Sequence, residues 1–137
     1  MKIIKTNLLD ENAIFIRKKV FVEEQGFFDE FDKTDEIATH FIAFDDDNNP
    51  VGTCRVFKDG EGYLFGRLAV LKEHRSKSIG SKLMKAAEDF VKSQKGKYLK
   101  LHAQMRAVEF YKKVGYTSYG EIELDEGYPH IWMKKEF

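Results

Sequence analysis

The sequence predicts a mixed α/β fold in which a largely antiparallel sheet is layered against a few helices. Short apolar or alternating runs, typical of strands, follow one another in the first half of the chain and again at its end. Two helical patterns lie between these groups. Because strands outnumber helices and do not alternate with them one for one, a layered α+β arrangement is expected rather than a doubly wound sheet.

Length and charge limit the kind of protein that this chain can be. Its 137 residues suffice for a single domain, 1–137, with a core of its own. Lysine plus arginine and aspartate plus glutamate both number 23, so no global field attracts nucleic acid or an anionic membrane. The single Cys54 cannot form an internal disulfide, and no leader-like or long apolar segment is found, which predicts a cytoplasmic protein.

The first half of the chain predicts a strand, a helix and three antiparallel strands. Residues 2–6 form the first strand, and Asn7 or Asp10 can cap a helix over 13–22. Residues 23–36 are acidic with interleaved phenylalanines, and a solvated loop is expected there. Three further strands are joined by turn-forming residues, over 40–44, 51–57 and 63–71.

The second half predicts a parallel crossover followed by a hairpin. The 63–71 strand continues through a loop into a helix over 79–93, and a strand over 98–102 follows. A strand, a crossover helix and a strand form a right-handed parallel unit. A short helix over 104–114 ends at Gly115, which suits a C-cap. Two final strands complete the sheet as a hairpin, over 117–124 and 128–133.

The loop before the long helix has the features of an anion site. Its residues are small or basic: Arg75, Ser76, Lys77, Ser78, Ile79, Gly80 and Ser81. The first N–H groups of a helix lack backbone partners and lie at the positive end of the helix dipole. Phosphate is a common anion at such a position. An ordinary helix start, with Ser78 as the N-cap and solvated basic side chains, is the alternative.

Two motifs at a characteristic separation carry a resemblance to a known family. The loop RSKSIG, 75–80, is similar to an R-x-x-G-x-G/A diphosphate loop, and Ala107, Tyr111, Gly115 and Tyr116 match a second signature. Both resemble the GCN5-related N-acetyltransferases, the GNAT superfamily. The runs RKKVFVEEQG, HAQMRAVEFYKKVGY and EGYPHIWM resemble a small, uncharacterised bacterial subgroup of it. The resemblance implies a mixed sheet of six or seven strands with about four helices.

The loop departs from the superfamily pattern at one position. Ser78 stands where the first loop glycine is expected. If this position requires a positive φ, a non-glycine residue costs about 1–2 kcal/mol. Cofactor binding would then be weaker, or the Ser78 hydroxyl would offset the strain by donating a hydrogen bond to a phosphate oxygen.

The resemblance also implies acetyl-coenzyme A as co-substrate, with no metal. Its diphosphate would bind residues 75–81, with Gln104 and Ala107 also contacting the cofactor. Tyr111 would face the sulfur. A tyrosine with a pKa of ~10 is a weaker acid than a thiol with a pKa of ~8.5, so a hydrogen bond to the thiolate is preferred to full proton transfer. The alternative is that Tyr111 is only a packing aromatic. The pantetheine arm would pair with one strand segment: Leu68, Ala69 and Val70.

The general base is a separate question. Many members of the superfamily carry a glutamate on the strand before the loop, but the alternating residues of 63–69 include no carboxylate. Glu24, His130 and His102 are the candidates, the first two preferred, with Glu126 behind them. For each histidine a structural role is the alternative, and a chain of water molecules could also carry the proton.

The expected reaction is transfer of acetyl from acetyl-coenzyme A to a primary amine of a small acceptor, by direct attack in a ternary complex. The resemblance places the acidic residues of 23–36 at the acceptor site, where they would attract a cationic amine less strongly as salt is raised. Exposed Phe27 and Phe28 would permit a homodimer. No nucleic acid and no membrane partner are expected.

Two other functions are weighed against this one. A coenzyme A-binding module without turnover is supported by the missing strand glutamate. A metal-dependent enzyme using His40, His102 and His130 is disfavoured, because the sequence has no H-x-x-x-H or C-x-x-C ligand spacing.

Overall fold

A mixed sheet organises the protein, and the computed structural model describes residues 1–27 and 31–137. Within these residues the sheet has seven strands in the spatial order β1-β2-β3-β4-β5-β7-β6. Only the β4–β5 pair is parallel among the described pairs. The predicted sheet of six or seven strands, with its parallel crossover, is confirmed. The strands are β1 (Lys2–Thr6), β2 (Thr39–Phe44), β3 (Pro50–Asp59), β4 (Gly62–Val70), β5 (Tyr98–Gln104), β6 (Thr117–Asp125) and β7 (Tyr128–Glu136).

The first helix is longer than predicted and changes geometry along its length. It starts as α1 (Glu11–Arg17) and continues without a break as a π-helix (Lys18–Glu24), here called the π segment. Asp10 is the N-cap, since its carboxylate accepts from two backbone N–H groups at 2.9 and 3.1 Å. The expected single α-helix over 13–22 is therefore corrected. Apolar periodicity identifies a helix but does not distinguish α from π turns.

The other helices lie in the crossover and before the final hairpin. The crossover helix, α2 (Ile79–Ser93), has the predicted bounds. The short helix predicted over 104–114 begins as a 3₁₀ turn, Met105–Ala107, and becomes α3 only at Val108–Lys113. Two more 3₁₀ turns, Lys33–Glu36 and Lys72–His74, lie in loops.

The helices pack on opposite faces of the sheet and define two cores. On one face α2 buries an apolar stripe at helical spacing against Phe65 and the apolar residues of β5. On the other face Ile16 of α1 and Phe21 of the π segment pack with Ile42 and Ala69. Residues of both cores, Phe21 on the α1 side and Ile79 and Tyr111 on the α2 side, line the cavity of the candidate site.

The acidic stretch is exposed at most of its described acidic residues, as expected, but it also contains a buried ion pair at Asp35 that was not expected. Asp35 is 4% exposed and accepts hydrogen bonds from Arg17 at 2.8 and 3.0 Å and from Arg55 at 2.7 Å. His40 Nε2 donates to the Asp35 carbonyl at 3.0 Å. Buried guanidinium groups require a carboxylate partner, and this residue supplies it. Three residues of the stretch, Phe28, Asp29 and Glu30, lie outside the described residues.

Replacing Asp35 by asparagine is expected to lower the free energy of unfolding at neutral pH by about 3–5 kcal/mol, because it removes one partner of a buried pair. Burial alone would raise the pKa of Asp35, but hydrogen bonds from Arg17 and Arg55 outweigh it and hold the pKa well below its usual range. A depressed carboxylate pKa contributes stability above the unfolded-state value of about 3.9. The difference from wild type should therefore narrow as the pH falls below about 4.

Urea unfolding at pH 7 and pH 3 measures both effects. Asp89→Asn is the control, because Asp89 belongs to an exposed pair with Lys85 at 2.7 Å. That change should cost about 0.5 kcal/mol or less. An Asp35→Asn cost as small as the control's would contradict a stabilising role for the buried pair.

Candidate active site

The site begins where β4 and β5 stop pairing. Their parallel ladder consists of Tyr63 with Leu99, Leu64 with Lys100 and Phe65 with Leu101. Beyond these pairs the strands diverge. One edge of the later β4 residues, including the predicted segment Leu68 to Val70, therefore faces a cavity. An extended ligand can bind such an edge as an additional strand.

A β-bulge accompanies the divergence. Thr53 pairs with Ala69 and Arg55 with Gly66, so β4 contains one residue more than β3 between these pairs. The positive φ of the bulge, 52°, is at Arg67 and not at the glycine. A bulge bends its strand, and here the bend accompanies the separation of β4 from β5.

A cavity of about 970 Å³ runs from the anion loop, past the divergence, to the β6–β7 turn. It brings together nearly all the predicted site residues, which lie on four separate parts of the chain. Lys77 is the exception among them, since it does not line the cavity. The predicted residues in the lining are Glu24, Leu68, Ala69, Val70, Arg75, Ser76, Ser78, Ile79, Gly80, Ser81, His102, Gln104, Ala107, Tyr111, Glu126 and His130.

The anion loop has a strained backbone. Ser76 and Ser78 have positive φ angles of 68° and 63°, and α2 begins directly after Ser78. The side chain of Ser78 makes no capping hydrogen bond, so the ordinary N-cap that was the alternative is not formed. A non-glycine residue in this conformation costs about 1–2 kcal/mol. The hydroxyl of Ser78 is exposed beside the first N–H groups of α2.

Arg75 is fully engaged by the protein itself. Its Nη1 and Nη2 donate to the two carboxylate oxygens of Glu24, both at 2.7 Å, and its Nε donates to the Val70 carbonyl at 3.0 Å. The positive charge of Arg75 is therefore balanced by Glu24 and is not free to bind an anion. Lys77 is exposed, with its Nζ 3.5 Å from His74 Nδ1. The hydrogen bond from Arg75 also lowers the pKa of Glu24, which makes this carboxylate a weaker base than an ordinary one.

Tyr111 lies in α3 at the centre of the cavity lining. It is largely buried, and its ring packs edge-on against Phe110 and Tyr116 with centroid distances of 5.1 and 6.2 Å. Its hydroxyl has no hydrogen-bond partner among the described residues. Burial raises the pKa of Tyr111, as it raises the pKa of the nearby Cys54 thiol. The hydroxyl is therefore protonated and able to donate.

Two histidines, His102 and His130, also line the cavity, and Trp132 packs against the first of them. His130 is buried, and its Nδ1 donates to the Tyr128 carbonyl at 2.8 Å, so the neutral ring keeps its lone pair on Nε2. His102 stacks on Trp132 with centroids 4.5 Å apart and lies 4.9 Å from the His130 ring. Burial, followed by the charge of His130, lowers the pKa of His102. Asp125 Oδ2 lies 3.7 Å from His102 Nδ1.

A bridge of polar and aromatic contacts crosses the cavity near the end of β5. Gln104 Nε2 donates to Gln25 Oε1 at 3.4 Å, and its Oε1 accepts from Arg106 Nε at 2.7 Å. Arg106 lies over the Tyr128 ring at 5.4 Å, and Tyr128 packs edge-on against Phe27. Sequence reasoning did not assign Gln25, Arg106 or Tyr128 to the site. They fall inside the three runs that resemble the bacterial subgroup, and that was the available signal.

Arg67 and His40 both contact the acidic stretch 23–36. Arg67 donates to Asp32 at 3.3 Å, and it lines the cavity next to Gly66. His40 is buried beside Asp35, away from the other histidines. Within residues 1–27 and 31–137 no cluster of three or more histidine, cysteine or acidic side chains could hold a metal ion. In the same residues no helix is both long and apolar enough to span a membrane.

A divergent parallel strand pair, with a helix start at one end of the gap, defines the class of acyl-coenzyme A N-acyltransferase folds. The chain belongs to the GNAT acetyltransferase family, because the family model described as "Acetyltransferase (GNAT) domain" matches residues 11–137. It is 40% identical over 130 residues to YjcF of Bacillus subtilis strain 168, an uncharacterised N-acetyltransferase, covering 92% of this chain and 91% of that protein.

Solved structures share the fold. Escherichia coli ElaA superposes with a TM-score of 0.87 at 24% identity, covering 98% of this chain and 99% of that one. An aminoglycoside 6'-N-acetyltransferase in complex with coenzyme A superposes with a TM-score of 0.77 at 18% identity, covering 99% and 97%. At these identities the likeness concerns the fold, and the predicted GNAT architecture is confirmed.

Replacing Ser78 by glycine is expected to raise the free energy of unfolding by about 0.5–1 kcal/mol, because glycine adopts a positive φ without the steric cost. Ser81→Gly is the matched control, since Ser81 lies in the first turn of α2. There glycine should instead lower stability by about 0.5 kcal/mol. Urea unfolding compares the two variants, and a loss of stability in Ser78→Gly would show that the loop is not strained.

Proposed function

We propose that the protein is an acetyl-coenzyme A-dependent N-acetyltransferase that acetylates a primary amine of a small acceptor. The observation that carries this proposal is the unpaired edge of β4, which leads directly into the anion loop at the start of α2. An extended amide chain ending in a diphosphate matches both parts. Family membership supports acetyl transfer, and the amine acceptor and the ternary complex are our proposals.

Coenzyme A would bind along the diverging strands. Its pantetheine amides would hydrogen-bond to the free backbone edge of Leu68 to Val70, in the manner of an added strand. Its diphosphate would accept from the N–H groups of residues 76–81 and from Lys77, because the Arg75 side chain is occupied by Glu24 and Val70. The thioester would then lie between Tyr111 and the end of β5, near Ala107 and Gln104.

The reaction is a direct transfer in a ternary complex. The neutral amine nitrogen attacks the thioester carbonyl carbon, the new C–N bond forms, and the C–S bond breaks as the sulfur leaves with the electron pair. Tyr111 donates a hydrogen bond to the developing thiolate, a stabilisation of the kind that preorganised donors provide. The thiolate later takes a proton from solvent.

His130 is the group that we propose for the nitrogen proton. Its Nδ1 donates to the Tyr128 carbonyl, so the neutral ring keeps its lone pair on Nε2, and the residue lines the cavity. Glu24 is the poorer candidate, because Arg75 occupies both of its carboxylate oxygens. Asp125 and Glu126, in the lining near the β6–β7 turn, would attract a cationic acceptor.

The location and assembly of the protein stay predictions. We expect it in the cytoplasm, with no nucleic-acid or membrane partner. The predicted homodimer requires Phe27 and Phe28 to be exposed. Phe27 instead packs against Phe21 and Tyr128, and Phe28 lies outside the described residues.

Calorimetry with acetyl-coenzyme A, followed by release of free thiol across a panel of amines, tests the function. Saturable binding of the thioester and amine-dependent thiol release are expected, with cationic amines favoured and the preference weakened by salt. Binding without thiol release for any amine would favour the non-catalytic coenzyme A-binding module. Absence of binding would contradict both functions.

Replacing Tyr111 by phenylalanine is expected to lower kcat by about 10- to 100-fold, because the thiolate loses its donor. The Kd for coenzyme A should change by less than about twofold, since the ring and its packing stay in place. Steady-state kinetics and calorimetry measure the two quantities. Tyr119→Phe, on the exposed β6, is the control. Unchanged turnover in Tyr111→Phe would remove its role at the sulfur.

A further inference from the structure

The last residue of the π segment, Glu24, and the residue that follows it, Gln25, contact the two ends of the proposed cofactor site. Glu24 contacts Arg75 in the anion loop, 51 positions along the chain. Gln25 accepts from Gln104 at the end of β5, where the thioester is placed. Single stretches of π-helix occur frequently at functional sites, because they alter the direction of the residues that follow. Here the π segment ends at Glu24, so it sets the direction of both Glu24 and Gln25 towards the site.

We infer that Glu24 is a positioning residue for the cofactor: its carboxylate holds the Arg75 guanidinium at the end of β4 and thereby fixes the anion loop in its binding conformation. This inference rests on the proposed function. It assigns Glu24 a different role from the general base that the sequence suggested, since the carboxylate acts through Arg75 and not on the acceptor.

The backbone of the loop shows why such support is needed. Ser76 and Ser78 both have positive φ, and Ser78 makes no capping hydrogen bond that would offset the cost. Strained residues persist only where the surrounding structure holds them. Arg75 immediately precedes them and is fixed at three nitrogen atoms, by two bonds to Glu24 and one to the Val70 carbonyl. Because Arg75 is fixed, it also fixes the backbone N–H groups of the residues that follow it in the loop.

The same contact joins the two halves of the active site. Glu24 belongs to the wall on the α1 side, and Arg75 belongs to the cofactor loop; both line the one cavity. Phe21 anchors the π segment in the core, so the wall is itself rigidly placed. Replacing the Glu24 carboxylate by an amide would leave the Arg75 guanidinium with one neutral amide oxygen and the Val70 carbonyl as acceptors, in place of a charged bidentate pair. The guanidinium would then be held less firmly, and the loop would lose most of its external support.

Glu24→Gln tests the inference, with Glu23→Gln as the matched control. Glu23 is the neighbouring exposed carboxylate, and it contacts only Lys19, at 3.4 Å, among the contacts described. In calorimetry Glu24→Gln should raise the Kd for coenzyme A by about three- to tenfold, as expected for a partly exposed bidentate pair. The kcat at saturating acetyl-coenzyme A should stay within about threefold of wild type, because no reacting atom is touched. Glu23→Gln should change neither quantity.

A double-mutant cycle tests whether Glu24 affects coenzyme A binding through Arg75. Arg75→Gln should weaken coenzyme A binding about as much as Glu24→Gln, and the double variant should be no weaker than either single one, because both changes break one interaction. Thermal unfolding without ligand checks that each variant is folded.

The outcomes separate this inference from the proposed function. A wild-type enzyme that binds and turns over, with a Glu24→Gln variant of unchanged coenzyme A affinity, would overturn the inference alone. A loss of kcat of about 100-fold with unchanged affinity would restore Glu24 as the base. Tighter binding by Glu24→Gln would show that Glu24 competes with the diphosphate. A wild-type protein that does not bind coenzyme A would overturn both.

Discussion

Most features of this protein depend on the edge of β4 that β5 leaves unpaired. Backbone N–H and C=O groups in a sheet interior must find partners, and three parallel pairs supply them only as far as Phe65. Beyond that point an extended ligand is the natural partner. The bulge at Arg67, the loop 75–81 and the start of the crossover helix α2 at Ile79 all follow Phe65 along the chain and shape the same opening. A fully paired β4 would remove the opening and with it the proposed cofactor site.

The charges near this opening are arranged in pairs that fix the walls. Arg75 with Glu24 links the anion loop to the π segment, and Arg17 and Arg55 with Asp35 link α1 to β3. The second group is buried, so its loss would leave a guanidinium in a medium of low polarity. The Arg75–Glu24 pair is partly exposed and therefore contributes less to stability. Its importance is that it fixes the position of the anion loop. The net charge of zero therefore reflects specific pairs of opposite charges and not only an even distribution over the surface.

The sequence predicted the order of the helices and strands, and the structure explains why other features could not be predicted from it. Alternation and turn residues located all seven strands, and the bounds of α2 followed from its apolar stripe. Periodicity could not reveal that α1 becomes a π-helix, because the change of turn depends on packing. Burial of Asp35 was also hidden, since its partners Arg17 and Arg55 are far away in the sequence. The loop residues were found through their motif, whereas Gln25, Arg106 and Tyr128 meet only in the folded chain.

Tyr111 and His130 show how the fold can separate a donor from an acceptor without any strongly charged group at the reacting atoms. Burial raises the pKa of Tyr111, so its hydroxyl keeps its proton and can only donate. The Tyr128 carbonyl binds the Nδ1 proton of His130, so the neutral ring can only accept at Nε2. Both residues line one cavity, from α3 and β7. Under the proposed function, attack by a neutral amine needs an acceptor for the nitrogen proton and a donor at the sulfur, and Tyr111 and His130 would provide one of each. The strand glutamate that many relatives carry would then not be required, because its task would fall to a group on another strand.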